Sequence, residues 1–261
     1  MSGSGPAVLI VGHRGRMGAM LLERAQQCGL DNVRGVDQPL EDDALASACA
    51  GVALAVLCVP VLVFEQVLEK ICPHLPATCV LADITSVKER PVQLMKQLWH
   101  GPVVGTHPLF GPTPDWEGDL PVTITLPDGP ADTTPPEAVA LVEDFCRQLG
   151  FRPFRATPQE HDEAMARIQN MNFITNVAYF AMLAGRDDLL PYLTPSFRRR
   201  QEAARKMLTE DAAMFSALFE ANGHSQEATR QFSRMLNLAA AGDVDLLCKR
   251  AQWWWEEKGN G

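Results

Sequence analysis

Three short stretches of this 261-residue sequence combine residue types and spacings that could do chemistry. Gly12-His13-Arg14-Gly15-Arg16-Met17-Gly18 sets small residues at G-x-x-G-x-x-G spacing. Asp83-Ile84-Thr85-Ser86-Val87-Lys88 and Gly105-Thr106-His107-Pro108-Leu109-Phe110-Gly111-Pro112 gather hydroxyls, a lysine and a histidine among apolar residues. Glycines let backbone N–H groups approach a pyrophosphate, which a helix N-terminus then stabilises. A histidine that titrates near neutrality can accept a hydroxyl proton as hydride leaves the same carbon.

These stretches need elements to hold them. The first half alternates short apolar runs with helical stretches: Ala7–Gly12, Asn32–Asp37, Val52–Val59, Cys79–Ile84 and Val103–His107 are predicted strands. Their almost continuous apolarity suits parallel strands covered on both faces, and the repetition gives an α/β, Rossmann-like, doubly wound, mainly parallel sheet. Val122–Leu126 is a further strand, Pro127–Pro136 an exposed loop, and Phe151–Ala156 a return to the sheet. Composition changes at Thr157-Pro158-Gln159-Glu160, a capping box with proline at the first helical position. Helices are expected over 158–184, 196–221, 225–241 and 244–257. Residues 1–157 thus form a dinucleotide-binding domain and 158–261 an all-helical one, whose apolar helices need a partner surface that a homodimer would supply.

On this frame the glycine stretch follows the first strand and opens the first helix, so Gly12, Gly15, Arg16, Met17 and Gly18 are the expected phosphate loop. His13 stands where the dinucleotide fingerprint often has glycine, and a tight turn with no ligand is the plain alternative. Asp37, about twenty residues on at the end of the second strand, would accept hydrogen bonds from both ribose hydroxyls and repel a 2′-phosphate, favouring NAD over NADP. Arg14 or Arg16 could instead contact a phosphate. Val59 and Pro60 end the third strand, where the chain passes under the cofactor. Ser86 and His107 fall at carboxyl ends of later strands, where open α/β sheets bind ligands; the bland alternative for His107 is a cap on a proline-rich turn.

Composition bounds the partners. The net charge of −9, with no long run of like charges, disfavours nucleic acid. A small anionic substrate would need a local arginine cluster. The longest apolar run, Val52 to Phe64, is broken by Pro60 and too short to span a bilayer, so no membrane partner is expected. Without a basic and apolar leader, the expected location is the cytoplasm. Seven scattered cysteines with no C-x-x-C pair point to reduced, buried thiols, and no spacing suits a metal.

In this order, the glycine loop, S-V-K (Ser86 to Lys88), G-x-H-P-x-F-G-P (Gly105 to Pro112) and Glu160-His161-Asp162 resemble prephenate dehydrogenase over most of the chain, from the first strand to at least Arg205. The G-x-H-P-x-F-G-P stretch is similar to members fused to chorismate mutase. The resemblance implies a dinucleotide-binding domain followed by an all-helical dimerisation domain, and NAD-dependent oxidative decarboxylation of a cyclohexadienyl acid. It makes His107 the proton acceptor at the substrate's C4 hydroxyl and Ser86 the residue that helps hold that hydroxyl and the nicotinamide. Within Thr194-Pro195-Ser196-Phe197-Arg198, it implies that Arg198 binds a substrate carboxylate, a task suited to a planar, permanently charged fork; a solvated basic face with Arg199 and Arg200 is the alternative. His161 matches the family's His-Asp pair, with a structural role in the first helical turn equally open.

The sequence departs from the family at one place. A second histidine, expected twelve residues after His161, is Phe173, preceded by Asn172. Counted along an uninterrupted helix, both could border the cleft. Drift at a tolerated position and a shift of specificity from prephenate toward 4-amino-4-deoxyprephenate both explain this, with arogenate a third substrate. Two other classes share this scaffold: a non-catalytic NAD(H) sensor, which would need only the glycine loop and Asp37, and a β-hydroxyacid-type dehydrogenase, whose helix lysine finds only Lys206 as a candidate. Trp253-Trp254-Trp255 suggests packing or a dimer contact.

Overall fold

The computed structural model describes residues 5–127 and 134–256. The middle of the predicted 127–136 loop and the final residue of the last predicted helix lie outside them. The chain divides into two compact units, one of residues 1–165 with 212–222 and one of residues 166–211 with 223–261. The boundary anticipated at 157/158 therefore falls at the start of a helix that belongs to the first unit. That unit also takes back a later helix.

In the first unit, the chain runs β1 (Val8–Val11), α1 (Arg16–Gln27), β2 (Val33–Val36), α2 (Asp42–Cys49), β3 (Leu54–Leu57), α3 (Phe64–Ile71), β4 (Val80–Asp83), α4 (Glu89–Leu98), β5 (Val103–Pro108), β6 (Pro121–Thr125), α5 (Pro136–Gln148), β7 (Arg152–Arg155) and α6 (Pro158–Met165). All seven predicted strands form, in the order β2-β1-β3-β4-β5-β6-β7. They are parallel from β2 to β5, while β6 pairs antiparallel with β5 and parallel with β7. Period-two alternation decides which core each side chain enters. Val8 and Ile10 face one core with Met20, Leu21, Val142 and Phe145 of α1 and α5. Leu9 and Val11 face the other with Leu45, Phe64, Leu68 and Met95 of α2, α3 and α4. The sheet is thus wound on both faces. The chain leaves β1 for β2 on one side and crosses to β3 on the other, opening a crevice at the carboxyl ends of β1 and β3.

The capping box predicted at α6 is present. Glu160 N donates to Thr157 Oγ1 at 3.1 Å, and Thr157 N donates to Glu160 Oε2 at 2.8 Å. The single helix expected over 158–184 is corrected: one turn of π-helix at Ala166–Asn170 separates α6 from α7 (Met171–Met182). The helix expected over 196–221 is also two, α8 (Pro195–Thr209) and α9 (Ala212–Ala221). The backbone N–H groups of Glu210 and Asp211 both donate to the Lys206 carbonyl, which closes α8. α10 (Ser225–Ala240) and α11 (Val244–Ala251) follow, and the helices of the second unit include α7, α8, α10 and α11. Among the described residues no helix is long and apolar enough to cross a membrane. Cys49, Cys72, Cys79 and Cys146 are buried and Cys28 and Cys58 half-buried, but Cys248 on α11 is exposed, contrary to the expectation of buried thiols throughout.

Candidate active site

Gly12 leaves β1 with φ at +84°, and a Cβ there would meet the Cys58 carbonyl at 2.6 Å. Only glycine makes this corner without strain. Gly18, in the first turn of α1, approaches so closely that an added Cβ would lie 2.3 Å from the Gly12 carbonyl. This contact draws the start of α1 against the loop. No side chain caps α1 at Gly15, and a helix N-terminus at the end of a glycine loop suits an anion. Gly12, Gly15, Asp37, Cys58, Val59 and Pro60 line one cleft. The other predicted loop residues serve it indirectly or point elsewhere: Gly18 sets the helix, Met17 packs on the core, and Arg16 is exposed.

Asp37 Oδ2 accepts from Arg14 N and Oδ1 from Gln38 N, each at 2.8 Å. Each oxygen keeps a second lone-pair direction for a ribose hydroxyl. The residue that breaks the glycine fingerprint, His13, is accommodated by Gly35 on β2, where a Cβ would lie 2.3 Å from the His13 ring. The compensating glycine is visible in the sequence, but its partnership with His13 depends on strand pairing. A glycine corner, an uncapped helix start and a free-lipped carboxylate fit a dinucleotide.

At the carboxyl ends of β4 and β5, buried polar groups stitch two strands together. Lys88 Nζ donates to Asp83 Oδ2 at 2.5 Å and to the Thr106 carbonyl at 2.6 Å. Thr106 Oγ1 donates to the Asp83 carbonyl at 2.5 Å, and Asp83 Oδ2 also accepts from Thr85 N at 2.9 Å and from the Thr85 hydroxyl. Burial holds the Lys88 amine below its ordinary value while Asp83 pulls it upward. The motif S-V-K contains this lysine, but nothing in the motif announces that it is sealed from solvent.

His107, the next residue of β5, is buried, as are His161 and Asp162 on α6. α6 packs against α4 and β6. His107 Nδ1 lies 2.9 Å from His161 Nε2, and His161 Nδ1 lies 2.7 Å from Asp162 Oδ1. Asp162 also caps α4 from outside it, accepting from Lys88 N at 2.7 Å and Glu89 N at 2.9 Å. Its own carbonyl accepts from Asn222 Nδ2 at 2.8 Å. Burial first, then the neighbouring His161 and Lys88, hold the His107 imidazole well below 6.5. Ser86 is half-buried in the loop between β4 and α4. Among the described residues no group of three His, Cys, Asp or Glu could hold a metal.

The remaining predicted residues lie in the second unit. Thr194 Oγ1 accepts from Phe197 N at 3.2 Å and caps α8. Of the three arginines that follow, Arg200 is committed: its guanidinium lies 4.0 Å over the Tyr179 ring. Arg198 and Arg199 are exposed. Asn172 is exposed and lines an open groove with Arg167, Thr175, Gln231 and Arg250, whereas Phe173 is buried. Because the π-turn intervenes, the helical register counted from His161 does not carry through to these two residues.

Fold and cleft define the class first: a Rossmann-like dinucleotide-binding domain with polar side chains gathered at the carboxyl ends of its strands. Residues 23–152 match the family model described as prephenate dehydrogenase, nucleotide-binding domain, which places the similarity of this part of the chain with the prephenate dehydrogenase family. Among curated relatives, it is 30% identical over 215 residues to the T-protein of Enterobacter agglomerans, covering 80% of this chain and 55% of that protein. The chain spans about half the length of the first curated relatives it matches. Among solved structures, it resembles Aquifex aeolicus prephenate dehydrogenase in complex with hydroxyphenyl propionate and NAD+, with TM-score 0.79 and 19% identity over 97% of this chain and 96% of that one. For Synechocystis arogenate dehydrogenase, the TM-score is 0.69 at 23% identity, covering 95% and 96%. At these identities the structures speak for the fold.

Proposed function

We propose that this chain is an NAD-dependent dehydrogenase that oxidatively decarboxylates a prephenate-type cyclohexadienyl acid. One observation carries the reading: His107 is a buried imidazole, whose surroundings disfavour the protonated form, at the carboxyl end of the sheet that also carries the glycine cleft. NAD held along Gly12–Gly18 and Asp37 supplies the hydride acceptor. His107 takes the proton of the C4 hydroxyl, and Ser86 helps hold that hydroxyl. Hydride leaves C4 for the nicotinamide, the C1 carboxylate leaves as carbon dioxide, its bonding pair passes through the ring to the C4 oxygen, the ring becomes aromatic, and the proton returns from His107 to that oxygen. Orientation and proton removal are what the protein must contribute.

Arg198, exposed and without an ion pair among the described residues, is the proposed partner of a substrate carboxylate. Homodimerisation belongs to the same reading, supported by the exposed Leu236, Leu246, Trp254 and Trp255 of the second unit, as does a cytoplasmic location.

A narrower reading concerns the substrate. Phe173 stands where the family resemblance places a histidine and is buried, so the polar partner that would meet a hydroxyl is replaced by an apolar ring. The substrate alternative to prephenate that this departure motivates is 4-amino-4-deoxyprephenate, with Asn172 and Phe173 as the proposed specificity determinants.

The test is NADH formation by the purified chain with prephenate, arogenate and 4-amino-4-deoxyprephenate in parallel. Preference for 4-amino-4-deoxyprephenate supports the narrower reading, and a high kcat/KM with prephenate removes it. No NADH from any of the three, in folded protein that binds NAD, overturns the dehydrogenase reading.

A further inference from the structure

The row of contacts from Asp162 to His107 settles where protons must sit. The Asp162 carboxylate already accepts two backbone N–H bonds at the start of α4 and is an acceptor only. The hydrogen bond to His161 Nδ1 therefore needs its proton on that nitrogen. A neutral imidazole protonated at Nδ1 has a bare Nε2. That bare nitrogen is the atom 2.9 Å from His107 Nδ1, so this contact in turn needs its proton on His107.

We infer that Asp162 and His161 are positioning residues that lock His107 in the tautomer protonated at Nδ1, leaving Nε2 as the atom that accepts the substrate proton. The inference rests on the proposed role of His107 and deepens it. His107 Nε2 has no hydrogen-bond partner among the described residues, and it is not one of the sealed, unpartnered atoms of the interior, so it keeps an opening. The relay is clamped by α4 through two backbone N–H groups and by Asn222 after α9. An imidazole free in water favours the proton on Nε2, the wrong atom for a base that must act there. The relay reverses this preference before substrate arrives.

Other charges bear on the rings. Lys88, before α4, and Asp83, at the end of β4, face the pair along with Asp162. Burial opposes protonation of both imidazoles, while Asp162 and Asp83 favour it at His161. A doubly protonated His161 would reverse the His107 tautomer and silence the base, so the relay predicts an acid limb in which two histidines act as one coupled group.

Ring-nitrogen NMR on protein with isotope-labelled histidine reads the tautomer directly, and the six histidines are few enough to assign through a His107→Ala variant. The wild-type ring is expected with its proton on Nδ1, and His161→Phe is expected to move it to Nε2. The same substitution should lower kcat by ~100-fold or more, the range of general-base catalysis, with KM and NAD binding little changed. In a His107→Ala background it should add no further loss. His161→Gln, which returns an acceptor oxygen at similar reach, should recover part of the rate. Wild-type His107 protonated on Nε2, or equal losses from His161→Phe in both backgrounds, would overturn the relay. If the wild type yields no NADH from any substrate, the dehydrogenase reading fails, yet the ring spectra still decide the tautomer.

Discussion

The Lys88 ammonium sits 2.5 Å from the Asp83 carboxylate, and neither side chain has any exposure to solvent. Such a pair contributes little net stability while intact, but breaking it leaves an uncompensated buried charge. Lys88→Met is therefore expected to destabilise the fold by roughly 3–5 kcal/mol, measured as a shift in denaturant midpoint. Adding Asp83→Asn should recover part of the loss, since the stranded charge is then gone. An unchanged midpoint for Lys88→Met would show that the pair is not sealed as described.

His107→Asn should abolish proton acceptance and lower kcat by ~10²–10⁴-fold. NAD affinity, measured by fluorescence or calorimetry, should stay close to wild type, because His107 is not among the residues lining the glycine cleft. Parallel losses in kcat and NAD affinity would argue for a structural histidine.

Both His107 and His161 are held below the ordinary 6.5 by burial. Below pH 6.5 the unfolded chain therefore binds protons that the folded chain refuses, and stability falls as pH falls. Above 6.5 both states are neutral at these sites and the contribution is flat. Denaturation midpoints should drop more steeply from pH 6.5 downward than in a His107→Gln variant. A variant that tracks the wild type would remove His107 from this effect.

Gly12→Ala forces a side chain into a left-handed corner 2.6 Å from the Cys58 carbonyl. Strain of that kind costs about 1–3 kcal/mol, and shifting the corner should also weaken NAD binding. Thermal unfolding and NAD titration of the same sample check both.

Asp37→Ala removes the carboxylate at the ribose end of the cleft, and the ratio of kcat/KM for NADP over NAD should rise. A ratio that does not move would assign cofactor choice to Arg14 or Arg16 instead.

The prediction of two faces and seven strands succeeded because local pattern carries it. Continuous apolar runs such as Leu54–Leu57 must be covered on both sides, and the Thr157–Glu160 box closes on itself within one turn. The Gly12 corner was equally legible, since a glycine requirement is a property of a single residue's backbone.

Tertiary structure alone decided which distant residues meet. His107 and His161 are 54 positions apart, and Lys88 and Asp162 are 74 apart; only the packing of α6 against α4 and β6 brings them into hydrogen-bond range. No periodicity encodes such a meeting, because hydrophobic pattern reports that a face is buried and not what it is buried against. The same holds for His13, whose ring occupies space that Gly35 vacates across a strand pairing, and for the π-turn at Ala166–Asn170, which shifts the helical register between His161 and Asn172 and Phe173. Sequence thus determined the elements and the candidate base. The order of its protons depended on contacts that exist only after the chain has folded.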